Sequence, residues 1–233
     1  PGQGFANNFL SVFAREDLTD YDWLAWSDQD DLWEPTHLES AQRALAGMGA
    51  PAVFGCRTRW IDAQDRFLGL SPRLGHHLGF ENALVQSFAG GNTLVLNREA
   101  VMWLQPHLRS VQGRGGLSHD WLIYQLLAGG GHAVVFSKDP TVKYRQHGGN
   151  VMGENRSPAA LWSRARLMLE GRYRQSVNAH LAVLSALESC LTESNRALLN
   201  ELRAVRDSGV CSRFRFYRRV GLRRERSIVQ ALF

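Results

Sequence analysis

The chain has 233 residues, 44% hydrophobic and 21% charged, which suits one globular domain, alone or with an appendage. No window approaches the roughly 18 to 20 uncharged apolar residues of a membrane-spanning helix, and no charged start followed by an apolar core marks a signal peptide. The formal charge of +5 is unevenly spread: residues 156–233 hold 15 Arg against 6 Asp+Glu, a balance of +9, while residues 1–155 carry −4.

A basic tail on a slightly acidic body predicts an anionic partner for the tail, either acidic lipid headgroups or nucleic acid. Cys56, Cys190 and Cys211 match no zinc spacing and no disulfide framework. Idle or buried thiols in a reducing compartment, the cytoplasm, are the expectation.

Taken in order, residues 4–15 place Phe5, Phe9, Leu10 and Phe13 on one helical face. Residues 21–27 read as a buried strand ending in Asp28, Asp30 and Asp31. Pro35 suits the first turn of a helix reaching about Met48, with Leu38, Ala41, Leu45 and Met48 inward. Residues 51–62 form a second predicted strand, followed by a Gly/Ser/Pro-bearing loop around 69–75. A short helix is expected over 76–88, a turn at Gly90-Gly91-Asn92, a strand over 93–96 and a helix over 98–108. After a glycine-bearing loop, Ser118 is placed to cap a helix from His119 to about Ala128. Strands follow at 132–136 and 142–145. Alternating strands and helices of this length predict an α/β layered domain over residues 1–155. Residues 156–233 read as a basic helical region, with seven arginines and Phe214, Phe216 and Tyr217 after residue 210.

The acidic corner has two readings. Along an extended segment Asp28 and Asp30 point the same way, and two such carboxylates repel unless a cation lies between them. Mg2+ or Mn2+ suits oxygen ligands and is commonly held by one or two carboxylates, substrate phosphate and water. The alternative is a solvated turn in which Asp31 caps the next helix. Asp120 is either a helix N-terminal charge serving stability or a general base for an attacking hydroxyl. His147 can supply a metal-ligating nitrogen or a phosphate hydrogen bond, and Arg145 can pair with phosphate; both can also be structural. Gly90-Gly91-Asn92 allows close backbone approach to a ligand, or is an ordinary turn.

Four motifs in order, Asp28-Gln29-Asp30-Asp31-Leu32-Trp33, Gly91 to Arg98, His119-Asp120-Trp121 and Tyr144 to Asn150, resemble those of the family 2 glycosyltransferases, in particular the rhamnosyltransferase-like bacterial branch. The resemblance implies a GT-A fold: a mixed sheet flanked by helices, here followed by a helical C-terminal appendage. It further implies inverting, metal-dependent transfer from a nucleotide-diphosphate sugar, dTDP-rhamnose among the candidates, to a glycan or lipid-linked acceptor in surface-polysaccharide (O-antigen) synthesis. Asp120 is then the catalytic base. Asp28, Asp30 and His147 hold Mg2+ or Mn2+, and Asp28, Arg145 and His147 meet the donor diphosphate. Asp31, Trp33, Asn92, His119 and Trp121 line the sugar or acceptor pocket. Many relatives carry Glu-Asp where this chain has His119-Asp120.

Upstream of the acidic strand, only Gly2 to Phe9 resembles the family's Gly-x-x-x-Asn-Phe helix start. The resemblance thus implies an N-terminally truncated piece lacking roughly two βα units, with a sheet incomplete on that side and poor donor binding. The expected location is cytoplasmic, with peripheral contact at the inner membrane face through the basic tail. The rival expectation is a non-catalytic fragment or binding module using that tail on membrane or nucleic acid. The acidic, aromatic body lacks a basic groove, so no nucleic acid is expected.

Overall fold

A computed structural model describes residues 5–15, 17–74, 78–146 and 172–222. The chain opens with helix α1 (Phe5–Leu10), continued by a 3-10 turn over Ser11–Ala14. Leu10 and Phe13 are buried and Phe9 packs against the same core, as the helical spacing predicts.

The sheet has the order β1-β5-β3-β6-β2, with β4 added to β3. Its strands are β1 (Trp23–Ala25), β2 (Leu32–Trp33), β3 (Ala52–Ile61), β4 (Phe67–Leu70), β5 (Val95–Asn97) and β6 (Ala133–Arg145). Only β3 and β6 pair in parallel; the other pairings are antiparallel. The molecule is therefore α/β with a mixed sheet.

Side chains alternate across β3 and separate two apolar layers. Val53 joins Leu94 and Leu96 on the face covered by α1, α4 (Arg98–Arg109), α5 (His119–Gly129), α6 (Arg172–Ala186) and α7 (Glu193–Arg206). Ala52, Phe54 and Cys56 join Val95 and Val142 on the opposite face, beneath Ala41 and Leu45 of α2 (His37–Leu45). Burial on both faces accounts for the nearly unbroken apolar run Ala52-Val53-Phe54-Gly55-Cys56.

Several expectations shift. The first strand is confined to Trp23–Ala25 by its antiparallel partner: it starts opposite Asn97, which caps α4 by accepting from the Ala100 amide at 3.0 Å, and ends opposite Val95, just after the 3-10 turn Gly91–Thr93. Helix α2 turns His37 inward in place of Leu38, which is 44% exposed. The His37 Nδ1 lies 2.8 Å from the Thr141 hydroxyl, and this buried contact selects the helix face. The loop expected near 69–75 begins as strand β4, made by a turn in which the Asp62 carboxylate accepts from the Gln64 and Arg66 amides. The helix expected over 76–88 is confined to α3 (Phe80–Ala83), and the two strands expected over 132–145 are one continuous strand, β6.

The helical region beyond residue 172 shares the main core: Val183, Leu184, Leu199, Leu202 and Phe216 of α6, α7 and α8 (Val210–Val220) are buried in it. His76, Leu161, Leu167, Leu169, Arg223, Arg224 and Arg226 lie outside the described residues.

Candidate functional site

β3 and β6 run in parallel, and β1 runs the same way through its antiparallel link to β5. The carboxyl ends of all three strands therefore lie at one end of the sheet, together with the Gly90-Gly91-Asn92 turn that enters β5. In open α/β sheets this is where ligands bind. Between β1 and β2 the chain must cross this end from one side of the sheet to the other. The crossing is the acidic segment. It is not extended: the Asp31 amide donates to the Asp28 carbonyl at 3.3 Å, closing a turn. Asp28 and Asp30 are half-buried there.

Asp31 does not cap the next helix. Its carboxylate accepts from the Asn92 side-chain amide and, at 3.0 Å, from the Arg145 backbone amide. Burial raises its pKa, and these two donors partly offset the rise. The Trp33 indole donates to the Asn92 carbonyl at 3.3 Å, so Asn92 is held on both sides by the acidic segment. Arg145 donates through Nε to the Asp30 carbonyl at 2.9 Å and through Nη1 to Asp65 at 2.6 Å. It thereby ties the acidic turn to the β3–β4 turn.

Asp120 reaches the same end from the first turn of α5, where the helix dipole favours a negative charge. Its carboxylate accepts from the Ser118 hydroxyl. The residue expected to cap α5 by side chain instead spends its Oγ on Asp120. Asp28 feels this carboxylate: its pKa is raised, first by burial and then by the charges of Asp30 and Asp120. The two acidic motifs thus share one electrostatic neighbourhood.

His119 is buried between Phe9, at 4.4 Å between ring centroids, and Trp26, at 5.9 Å. A Cβ on Gly91 would collide with its ring, so the glycine permits the turn to lie directly on the start of α5. Burial lowers the His119 pKa, against an opposing pull from Asp120. Trp121 belongs to the main core and packs against His180, at 4.3 Å between ring centroids. It is 6% exposed, and its indole donates to the Ala83 carbonyl at 2.6 Å.

A hard divalent ion fits the chemistry of Asp28 and Asp30: both donors are carboxylates, and like charges already raise the Asp28 pKa. Among the described residues no group of three or more His, Cys, Asp or Glu side chains is arranged as a complete metal cage. Phosphate and water would have to complete the coordination of such an ion. His147 lies outside the described residues.

Ser118 and His180 were not singled out as functional by the sequence. Ser118 reads as an ordinary helix cap, and His180 belongs to a helix without any motif. Its Nε2 accepts from the Ser118 amide at 3.0 Å.

No family model matches the chain, and no solved structure matches it. It is similar to the dTDP-rhamnosyl transferase RfbG of Shigella flexneri, with 24% identity over 176 residues. The match covers 75% of this chain and 60% of that protein, so the chain spans less than two thirds of the length of the relative it matches.

Proposed function

We propose that this chain carries the chemistry of an inverting, GT-A-type sugar transferase of the family 2 kind. It would move a sugar, rhamnose first among the candidates, from a nucleoside-diphosphate donor such as dTDP-rhamnose to a hydroxyl of a glycan or lipid-linked acceptor. The observation that carries the reading is the meeting of the acidic turn with the start of α5 at the carboxyl end of the sheet: Asn92 donates to Asp31, and the adjacent Gly91 lies directly against His119, the neighbour of Asp120. The name of the Shigella flexneri relative supports the donor class, and a place for this chain in O-antigen assembly is part of the proposal.

Asp120 accepts the proton of the acceptor hydroxyl as the oxygen attacks the anomeric carbon. A new C–O bond forms on one face of the sugar while the bond to the diphosphate oxygen breaks on the other, and the nucleoside diphosphate leaves with that electron pair. Asp28 and Asp30 would hold Mg2+ or Mn2+, which supplies charge stabilisation for the leaving diphosphate. His147 is proposed as a further ligand. Arg145, held by Asp65 and the Asp30 carbonyl, keeps the turn in shape and places positive charge beside it.

Among the described residues no helix is long and apolar enough to cross a membrane. Helix α8 exposes Val210 (71%) and Phe214 (61%) beside Arg215 and Arg218. We read this face as a peripheral contact with an anionic membrane surface, which would bring a lipid-linked acceptor to the site.

The test is turnover of dTDP-rhamnose, followed as dTDP release, by the protein as its gene encodes it. Chelation should abolish release and Mn2+ or Mg2+ should restore it. Asp30→Asn should raise the metal concentration required by at least about tenfold. Turnover indifferent to chelation and to Asp30→Asn would remove the metal role.

A further inference from the structure

The loop that leads into Asp120 is also held by the helical C-terminal region. Helix α6 directs three side chains, spaced three and four residues apart along one face, onto the α/β domain, two of them onto the loop before Asp120. The Tyr173 hydroxyl donates to the Val85 carbonyl at 2.8 Å, and the Ser176 hydroxyl donates to the Gly116 carbonyl at 2.9 Å. His180, fully buried, accepts the Ser118 amide on Nε2 at 3.0 Å.

The His180 tautomer follows from its partners. With Nε2 accepting, the proton sits on Nδ1, which lies 2.7 Å from Gln125 Oε1. The Gln125 amide nitrogen is committed to the Ala83 carbonyl at 3.1 Å, so its oxygen is the atom that faces the histidine. The Trp121 ring lies 4.3 Å from the imidazole centroid and fixes its plane. Every polar atom in this cluster has a defined role.

We propose that His180 is a positioning residue for Asp120: it fixes the Ser118 backbone, and the Ser118 hydroxyl in turn orients the Asp120 carboxylate. The proposal rests on the reading of Asp120 as the base only for its kinetic consequence; the placement is independent of it. Burial lowers the His180 pKa to about 4, with Asp120 opposing, so the ring stays neutral and able to accept at neutral pH. The helical C-terminal region thus contributes to the geometry of the site, although none of its described residues supplies a reacting group.

Two measurements on His180→Leu and His180→Gln test this. A leucine removes the acceptor, whereas a glutamine can place its Oε1 near the position of Nε2. The first measurement is amide hydrogen exchange with the carboxyl 13C shift of Asp120. His180→Leu should lose protection at Ser118 and move the Asp120 signal, while β3 and β6 stay protected and His180→Gln recovers both. The second is donor turnover. His180→Leu should lower kcat roughly 10- to 100-fold with little change in donor KM, and His180→Gln should recover most of it. With Ser118→Ala in the background, the loss from His180→Leu should shrink, since both act through one hydroxyl. Unchanged exchange and an unmoved Asp120 signal in a folded His180→Leu protein would overturn the proposal. A moved Asp120 signal with full turnover would uphold the positioning and remove Asp120 as the base.

Discussion

Asp28 illustrates how a site of this kind trades stability for chemistry. Its ordinary carboxyl pKa is 3.8, raised in the fold by burial and by the charges of Asp30 and Asp120. The folded state therefore holds this proton more tightly than the unfolded chain does. That contribution to stability is fully present below about pH 4, the unfolded value, and is lost as pH rises through the higher folded value. At neutral pH the ionised group is a liability unless a cation offsets it. Asp28→Asn should consequently raise Tm at pH 7 without divalent ions, lose that advantage near the acid end, and abolish the Tm increase that the proposed metal role predicts for the unaltered protein with Mg2+ or Mn2+. A lower Tm at pH 7, or an undiminished metal increment, would contradict this assignment. Asp31, one residue beyond the Asp-x-Asp pair, has another task. Its carboxylate holds Asn92 and the end of β6, so the acidic run divides between a candidate ligand pair and a structural brace.

Among the elements, α8 shows what an exposed face can disclose. Arg219 pairs with Glu201 and lies over the Phe216 ring, and Phe216 itself is buried, so that side of the helix is occupied internally. Val210, Phe214, Arg215 and Arg218 remain outward. Phe214→Ser with Arg215→Ala and Arg218→Ala should reduce sedimentation with phosphatidylserine vesicles several-fold at low salt, since each basic residue near such a surface is worth about 1 kcal/mol. Equal sedimentation would count against the membrane contact, and salt-sensitive retention on duplex RNA or DNA would favour the rival partner. The elements also differ in how far the sequence declares them. α4 is legible because burial on one face writes a helical period into its side chains, whereas β3 and α5 are legible as nearly continuous apolar runs, buried on both faces or all round. β4 is hidden because Phe67 and Leu68 are 61% and 56% exposed, so its apolar residues mark no buried face. The inward face of α2 is ambiguous for a geometric reason: positions three and four before Ala41 both lie on its side of the helix. Thr141, remote in sequence, decides for His37. The same limit conceals His180, whose meaning depends on Ser118, Gln125 and Trp121 meeting it across the core.

At the scale of the whole molecule, one core joins residues that the charge distribution divides. Leu94 and Leu96 beside β3, Leu122 and Leu126 of α5, and Leu184 and Leu199 of the basic region belong to a single buried cluster. The helices after residue 172 pack onto α5 and help fix where its N-terminus sits, while the sheet carries the acidic turn to the same end. The order of the motifs was readable from the chain, and their resemblance to a family implied that they meet in one site. The path that brings the acidic turn there was not readable, because it depends on β1 and β2 occupying opposite ends of the strand order, with the Asp28–Asp31 turn spanning between them. The central claim is that this convergence makes a site for sugar transfer with Asp120 as the base. The direct measurement is kcat for dTDP-rhamnose turnover, to acceptor or to water, at saturating Mn2+ in the unaltered protein and in Asp120→Asn. The account predicts a fall of roughly 10²- to 10⁴-fold with donor affinity and Tm preserved. A folded Asp120→Asn protein that turns over donor at the unaltered rate would contradict it.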